Sequence, residues 1–340
     1  MAETVLVTGG SGFVASWCIV DLLKRGYTVR TTVRNLAKEP AVRAAVASIV
    51  DPGDRLAFFA ADLMSDAGWD AAVAGCDYVL HVASPLGGAG SKDPNSLIEP
   101  ARDGALRVLR AGTKANVKRV VMTSSVAASS PPLAGADSVS DETVWTDPDD
   151  RNLDTYRLSK TLAERAAWDF MKGQGSGTSL VTILPGAVLG PVLSPDGLGS
   201  VQIVQRMLNG SMPGTPRVGF SIVDVRDVAD MHIRAMTTPT AAGQRFIAAG
   251  DYMWMAEIAK MLKEKLGARA AKVPTRGLPD FVLRLLSIFD RDLKVVTPTL
   301  GQRRAFSSAK AQTALGWTPR PAATTILECA ESLIAKGAVG

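Results

Sequence analysis

A chain of 340 residues, 46% hydrophobic and 21% charged, is a globular protein with a substantial core, long enough for one large α/β domain with a smaller lobe. Its 38 basic and 33 acidic residues are interspersed rather than gathered into tracts, which excludes a nucleic-acid-binding face but leaves room for a local positive patch that meets one phosphate. Cys18, Cys76 and Cys329, with only His81 and His232 besides, fit no metal or redox spacing, so no metal site is expected and the thiols read as buried and free in a reducing compartment.

The chain starts on chemistry. Val5-Leu6-Val7 runs into Thr8-Gly9-Gly10-Ser11-Gly12, and Val14, Trp17, Cys18 and Leu22 follow at helical spacing, so the stretch reads strand, tight turn, helix. Such a turn seats a pyrophosphate: glycine adopts backbone angles forbidden to other residues, and the helix N-terminus offers unpaired N–H groups. Ala15 stands where the dinucleotide fingerprint often has its third glycine, and it is nearly as small. Met1 to Thr4 enter the first strand at once, leaving no room for a leader. The most apolar late stretch, Phe281 to Phe289, is short and interrupted by Arg284. A cytoplasmic protein without membrane partners is expected.

Tyr27 to Val33 is a second strand by its β-branched content, with Arg34 at its end and Lys38 nearby. An acid there would bond the ribose hydroxyl of NAD, whereas a basic residue accommodates the extra phosphate of NADP, so NADPH is the expected cofactor. A third strand, Leu56 to Ala60, ends at Asp62-Leu63, placed to meet the adenine. A fourth, Tyr78 to Leu80, ends at His81-Val82-Ala83-Ser84-Pro85. Ala83 and Ser84 are small enough for backbone to pass beneath a cofactor, while His81 reads as a satisfied core imidazole. Residues 94 to 116 carry a long helical pattern, leading to a fifth strand, Val120 to Met122, and the hydroxyl run Thr123-Ser124-Ser125. The long segment from Ala127 to Asp150 is expected to be functional.

Tyr156 and Lys160 then lie four apart at the head of a helix, hence on one face. A phenol has a pKa of ~10, and an ammonium within a few ångströms lowers it by roughly 1–3 units. Tyr156 is so placed to protonate a carbonyl oxygen while hydride arrives from a nicotinamide. A sixth strand, Val181 to Leu184, exits through Pro185-Gly186-Ala187-Val188-Leu189-Gly190-Pro191. Beyond it Ile222 to Asp230 starts a further helix that runs through Met236, with Asp227 and Asp230 suited to its first turn. Amphipathic helices are expected over 256–266 and 278–289, the latter facing either the main domain or a second subunit, and a last pair surrounds Leu315-Gly316-Trp317. The expected architecture is a doubly wound parallel-sheet Rossmann fold over 1–185, with returning segments near 221–250 and 305–318, and a smaller, mostly helical substrate lobe over 186–340.

In their order and spacing these motifs resemble the extended short-chain dehydrogenases/reductases, in the dihydroflavonol-4-reductase-like branch that includes cinnamoyl-CoA reductases and microbial aldehyde and ketone reductases. The resemblance rests on the Thr8–Ala15 turn, Val33-Arg34, Asp62-Leu63, His81 to Pro85, Thr123-Ser124-Ser125, Tyr156 with Lys160, Leu184-Pro185-Gly186, Val223 to Ala229 and Leu315-Gly316-Trp317, and spans nearly the whole chain. It implies that Tyr156 is the proton donor, that Lys160 tunes it and bonds the nicotinamide ribose, and that the substrate-orienting serine is Ser125 rather than Ser124. It implies cofactor positions at Gly9, Gly12, Phe13, Val14, Arg34, Lys38, Asp62, Leu63, Val82, Ala83, Ser84, Thr123, Pro185 and Val188 as well. Residues 86–92 and 126–134, both expected to border the pocket near the nicotinamide, are small and carry no dedicated charge clamp, which suits a range of aldehydes and ketones. The reading is an NADPH-dependent carbonyl reductase, monomer or homodimer, acting on a small-molecule carbonyl. Its rivals are an NAD-dependent nucleotide-sugar epimerase or dehydratase and a non-enzymatic dinucleotide sensor.

Overall fold

A computed structural model describes residues 2–85, 95–133, 136–195, 199–288, 293 and 296–339. At its centre is a seven-stranded sheet built from β1 (Thr4–Val7), β2 (Thr28–Val33), β3 (Leu56–Ala60), β4 (Tyr78–His81), β5 (Arg119–Thr123), β7 (Ser179–Pro185) and β10 (Arg245–Ala248). The spatial order is β3-β2-β1-β4-β5-β7-β10, and every neighbouring pair is parallel. A parallel sheet is covered on both faces, so its strands are apolar throughout rather than alternating. Val5 and Val7 enter one core together with Val29, Leu80 and Val121, while Leu6 enters the opposite one with Val79 and Val120.

Helices supply the covers. On the first face α1 (Phe13–Lys24) packs against α7 (Val225–Thr237), burying Ile19, Leu22, Val228 and Met231. On the other, α3 (Trp69–Val73), α4 (Asn95–Lys114) and α5 (Thr155–Lys172) bury Trp69, Ala105, Leu109, Ala163 and Ala167. Asp154 caps α5 by accepting from the Arg157 N–H at 2.9 Å, and Asp224 caps α7 through the Arg226 N–H, also at 2.9 Å. Asp227 and Asp230 prove structural: the first accepts from the Arg320 backbone at 2.6 Å, and the second pairs with Arg25 at 2.7 Å and Arg234 at 2.6 Å.

The smaller part of the molecule hangs on short ladders. β8 (Ala187–Leu189) runs parallel to β9 (Gly219–Asp224), which pairs antiparallel with β11 (Tyr252–Trp254), and β6 (Ser138–Ser140) pairs parallel with β12 (Arg304–Phe306). A separate core gathers Val204 and Met207 of α6 (Gln202–Leu208), Ile258 and Leu262 of α8 (Met255–Leu266), and Ile326 and Leu333 of the C-terminal helix (Ala322–Ala335). The helix expected over 278–289 is α9, Asp280–Leu286; it buries Leu283 but leaves Phe281, Leu285 and Ile288 exposed. Residues 289–292 lie outside the described part of the chain. All three cysteines are buried and free, and among the described residues no helix is long and apolar enough to cross a membrane.

Candidate active site

After β3 the chain crosses back to place β4 beside β1, so the order of strands reverses between β1 and β4. In open parallel sheets the crevice at the carboxyl ends of the strands at such a reversal is where ligands bind. A cavity of about 660 Å³ opens there, within the range that holds a cofactor.

One end is built by the turn from β1 into α1. Gly9 has φ +73°, and a side chain there would meet the Ala83 Cβ at 2.9 Å, so glycine alone fits. The turn is held by Gly12 N–H donating to the Gly9 carbonyl at 2.8 Å and by Gly9 N–H donating to Thr32 Oγ1 at 3.0 Å. Gly12 caps α1 without a side chain, which leaves the first-turn amides of the helix to face the cavity. Thr8 supports the opposite wall: its hydroxyl oxygen accepts from the Val82 and Ala83 amides at 3.0 and 2.9 Å and lies 3.0 Å from His81 Nδ1. His81 is buried, and burial together with the charge of Lys160 pushes its pKa down to about 3, so the imidazole is neutral. It is a core hydrogen-bonding group.

The Arg34 end is different. Arg34 is exposed at the cavity wall with no ion pair to any described residue, while Asp62 and Leu63 form the neighbouring wall. These groups fit a dinucleotide: helix-terminal amides to donate to a pyrophosphate, a guanidinium to donate to a ribose phosphate and a carboxylate to accept from an adenine amino group. Lys38 is the exception among the expected positions. Asn35 accepts the Ala37 N–H at 2.9 Å and starts a 3-10 turn, Leu36–Lys38, that carries Lys38 to the head of α2 (Glu39–Ala47), exposed and outside the cavity lining.

At the far end, α5 brings Tyr156 and Lys160 to the cavity beside Ser125, at the exit of β5. Tyr156 is 37% exposed because its ring faces the cavity. Burial of its hydroxyl raises the phenol pKa, and a hydrogen bond with Ser125 opposes the rise. The lowering expected from Lys160 does not set the net direction here: its ammonium lies 5.9 Å from the ring centroid and is itself pushed down to about 8 by burial, with Glu164 acting against that. The two serines divide as well. Ser124 donates to Glu164 Oε2 at 2.6 Å, while Ser125 accepts the Ala127 N–H at 3.2 Å and keeps its hydroxyl toward Tyr156.

Gly9, Gly12, Phe13, Val14, Arg34, Asp62, Leu63, Val82, Ala83, Ser84, Thr123, Ser125, Tyr156, Lys160, Pro185 and Val188 all line this one cavity. Ser96, Pro100, Gly199 and Ser200 join the lining from segments with no recognisable motif, where only the fold signals them. Of the two loops expected to border the pocket, 86–92 lies outside the described residues, as does residue 134, and residues 126–133 are not part of this lining.

Comparison with known proteins places this geometry. The NAD dependent epimerase/dehydratase family pattern matches residues 5–249. Cinnamoyl-CoA reductase 1 of Arabidopsis thaliana is 38% identical over 263 residues, covering 76% of this chain and 74% of that protein. The anthocyanidin reductase ((2S)-flavan-3-ol-forming) of Vitis vinifera is 36% identical over 288 residues, covering 80% and 83%. Among solved structures, Gre2 of Candida albicans in complex with NADPH superposes with a TM-score of 0.81 at 25% identity, over 98% of this chain and 99% of that one. With the strand reversal, the glycine turn and the Tyr156–Lys160 face all in one cavity, the chain belongs to the NAD dependent epimerase/dehydratase family of extended short-chain dehydrogenases/reductases, in the branch of the cinnamoyl-CoA and anthocyanidin reductases.

Proposed function

We propose that the protein is an NADPH-dependent carbonyl reductase that interconverts an aldehyde or ketone and its alcohol. The observation that carries this reading is the meeting of Ser125, Tyr156 and Lys160 at one end of a dinucleotide-sized cavity whose other end presents Arg34, which makes no ion pair with any described residue. When bound, the cofactor supplies the hydride. Everything else falls to the chain. The first-turn amides of α1 hold the pyrophosphate, Arg34 takes the ribose phosphate, and Asp62 meets the adenine. Ser125 donates to the substrate carbonyl and orients it against Tyr156. Tyr156, its pKa raised above the ordinary phenol value and so protonated at neutral pH, gives its proton to the carbonyl oxygen as negative charge develops there. Lys160, buried with its charge at the cavity, stabilises the phenolate that results and holds the ribose.

Arg34, standing where an NAD-preferring site would have an acid, separates this reading from an epimerase that keeps NAD as an internal shuttle. The test is reduction of aromatic and aliphatic aldehydes and ketones by wild type and Tyr156→Phe. A fall in kcat of about 10²–10⁴-fold with NADPH binding retained is expected. A phenylalanine variant as active as wild type would contradict the assignment.

A further inference from the structure

Behind the Tyr156–Lys160 face lies a buried ion pair that the chemistry above does not use. Glu164 sits one turn beyond Lys160 on α5 and is fully buried. Its carboxylate receives Arg245 Nε at 2.8 Å on Oε1 and Nη2 at 3.3 Å on Oε2. Thr182 Oγ1 at 2.7 Å and Trp168 Nε1 at 3.3 Å also donate to Oε1, and Ser124 Oγ donates to Oε2 at 2.6 Å. Arg245, from the edge strand β10, stacks 3.6 Å from the Trp145 ring centroid and donates to the carbonyls of Ala128 at 3.2 Å, Glu142 at 2.7 Å and Val144 at 3.1 Å.

Ala128 ends the short turn that Ser125 caps, and Ser124 immediately precedes Ser125. The pair therefore grips the catalytic serine's turn at both ends and binds it to the helix that carries Tyr156 and Lys160. A buried ion pair is a weak source of stability, because desolvation offsets most of its attraction, and apolar replacements of the same volume are often as stable. What it supplies is geometry and a fixed charge. We propose that Glu164 and Arg245 form a positioning unit for the active site: Arg245 locks the Ser125 turn against α5, and the Glu164 carboxylate keeps the Lys160 ammonium charged.

The inference rests on the reductase reading for the roles of Ser125 and Lys160. The groups facing Lys160 are Tyr156 and Glu164 from its own helix and neutral His81 from β4. Those facing the pair are Glu142, which accepts the Ile247 N–H at 2.8 Å, and Arg165, 5.7 Å from the same Trp145 ring centroid. Of these only Glu164 pulls the Lys160 pKa upward, against burial.

The test follows NADPH affinity against pH by the cofactor's fluorescence, and carbonyl turnover alongside, in wild type, Glu164→Gln and Arg245→Lys. Wild-type affinity is expected to weaken as pH rises through about 8, where Lys160 loses its proton. Glu164→Gln keeps volume and hydrogen bonding but not charge, and is expected to move that limb about one unit lower. Arg245→Lys keeps the charge but loses the fork, and is expected to leave the limb in place while kcat drops about tenfold or more. A limb unmoved in Glu164→Gln, with loss confined to thermal stability, would overturn the proposal. If Glu164→Gln does not fold, wild-type kcat in Arg245→Lys overturns it alone, and a lowered kcat with an unmoved limb supports it. Tyr156→Phe separates the two readings: full activity there removes the reductase mechanism, whereas the binding limb reports on Glu164 without any turnover.

Discussion

On the proposed mechanism Tyr156 has to hold its proton until the carbonyl oxygen draws it, and its surroundings favour the protonated phenol. Burial raises its pKa, so the phenol is protonated across neutral pH, and the alkaline loss of reducing activity falls to Lys160. The sign is fixed: burial depresses the ammonium to about 8, the charged form is the one that stabilises a phenolate, and activity should therefore fall as pH rises through about 8. A pH profile of kcat/KM in the reducing direction checks this. Arg34 yields a second expectation at this scale. Removing a charged donor to phosphate costs about 1.5–3 kcal/mol, so Arg34→Ser should raise KM for NADPH roughly ten- to hundredfold and leave NADH unaffected, as read from initial rates with each cofactor. Tyr156, Lys160 and the glycine turn were legible in the sequence because each group is local, its residues a few positions apart. Glu164 and Arg245 were not, because they stand 81 positions apart and meet only when β10 closes the sheet beside β7.

Among the elements, the long helices and the strands that feed the site follow from periodicity. The pattern expected over 94–116 is α4, Asn95–Lys114, and the third strand is Leu56–Ala60 as read. Shorter pieces escaped for a physical reason: β6, β8, β11 and β12 are three residues each, too short for any period to register, and their pairing is set by partners far along the chain. β10 was missed as well, although it is the seventh strand of the main sheet, because four residues headed by Arg245 do not look like a buried strand. Its arginine is tolerated there because its donors meet Glu164, the carbonyls of Ala128, Glu142 and Val144, and the Trp145 ring.

At the scale of the molecule, the C-terminal segment is fastened to the dinucleotide-binding part by Trp317. The residue is fully buried in the main core, and its Nε1 donates to the Asp227 carbonyl at 2.8 Å while Arg320 pairs with the Asp227 side chain. Trp317→Ala should cost about 3–5 kcal/mol, measured as a lowered urea midpoint, with the wild-type cofactor preference kept in the molecules that remain folded. The parallel sheet with helices on both faces was legible as a whole because that architecture follows from alternating strands and helices. The substrate itself was not, because specificity resides in loops. The proposed carbonyl reductase activity is tested by oxidation of NADPH and, separately, NADH by the purified protein with a panel of aldehydes, ketones and α-keto esters. Turnover favouring NADPH is the predicted result; silence across the panel with NAD retained through purification would contradict it.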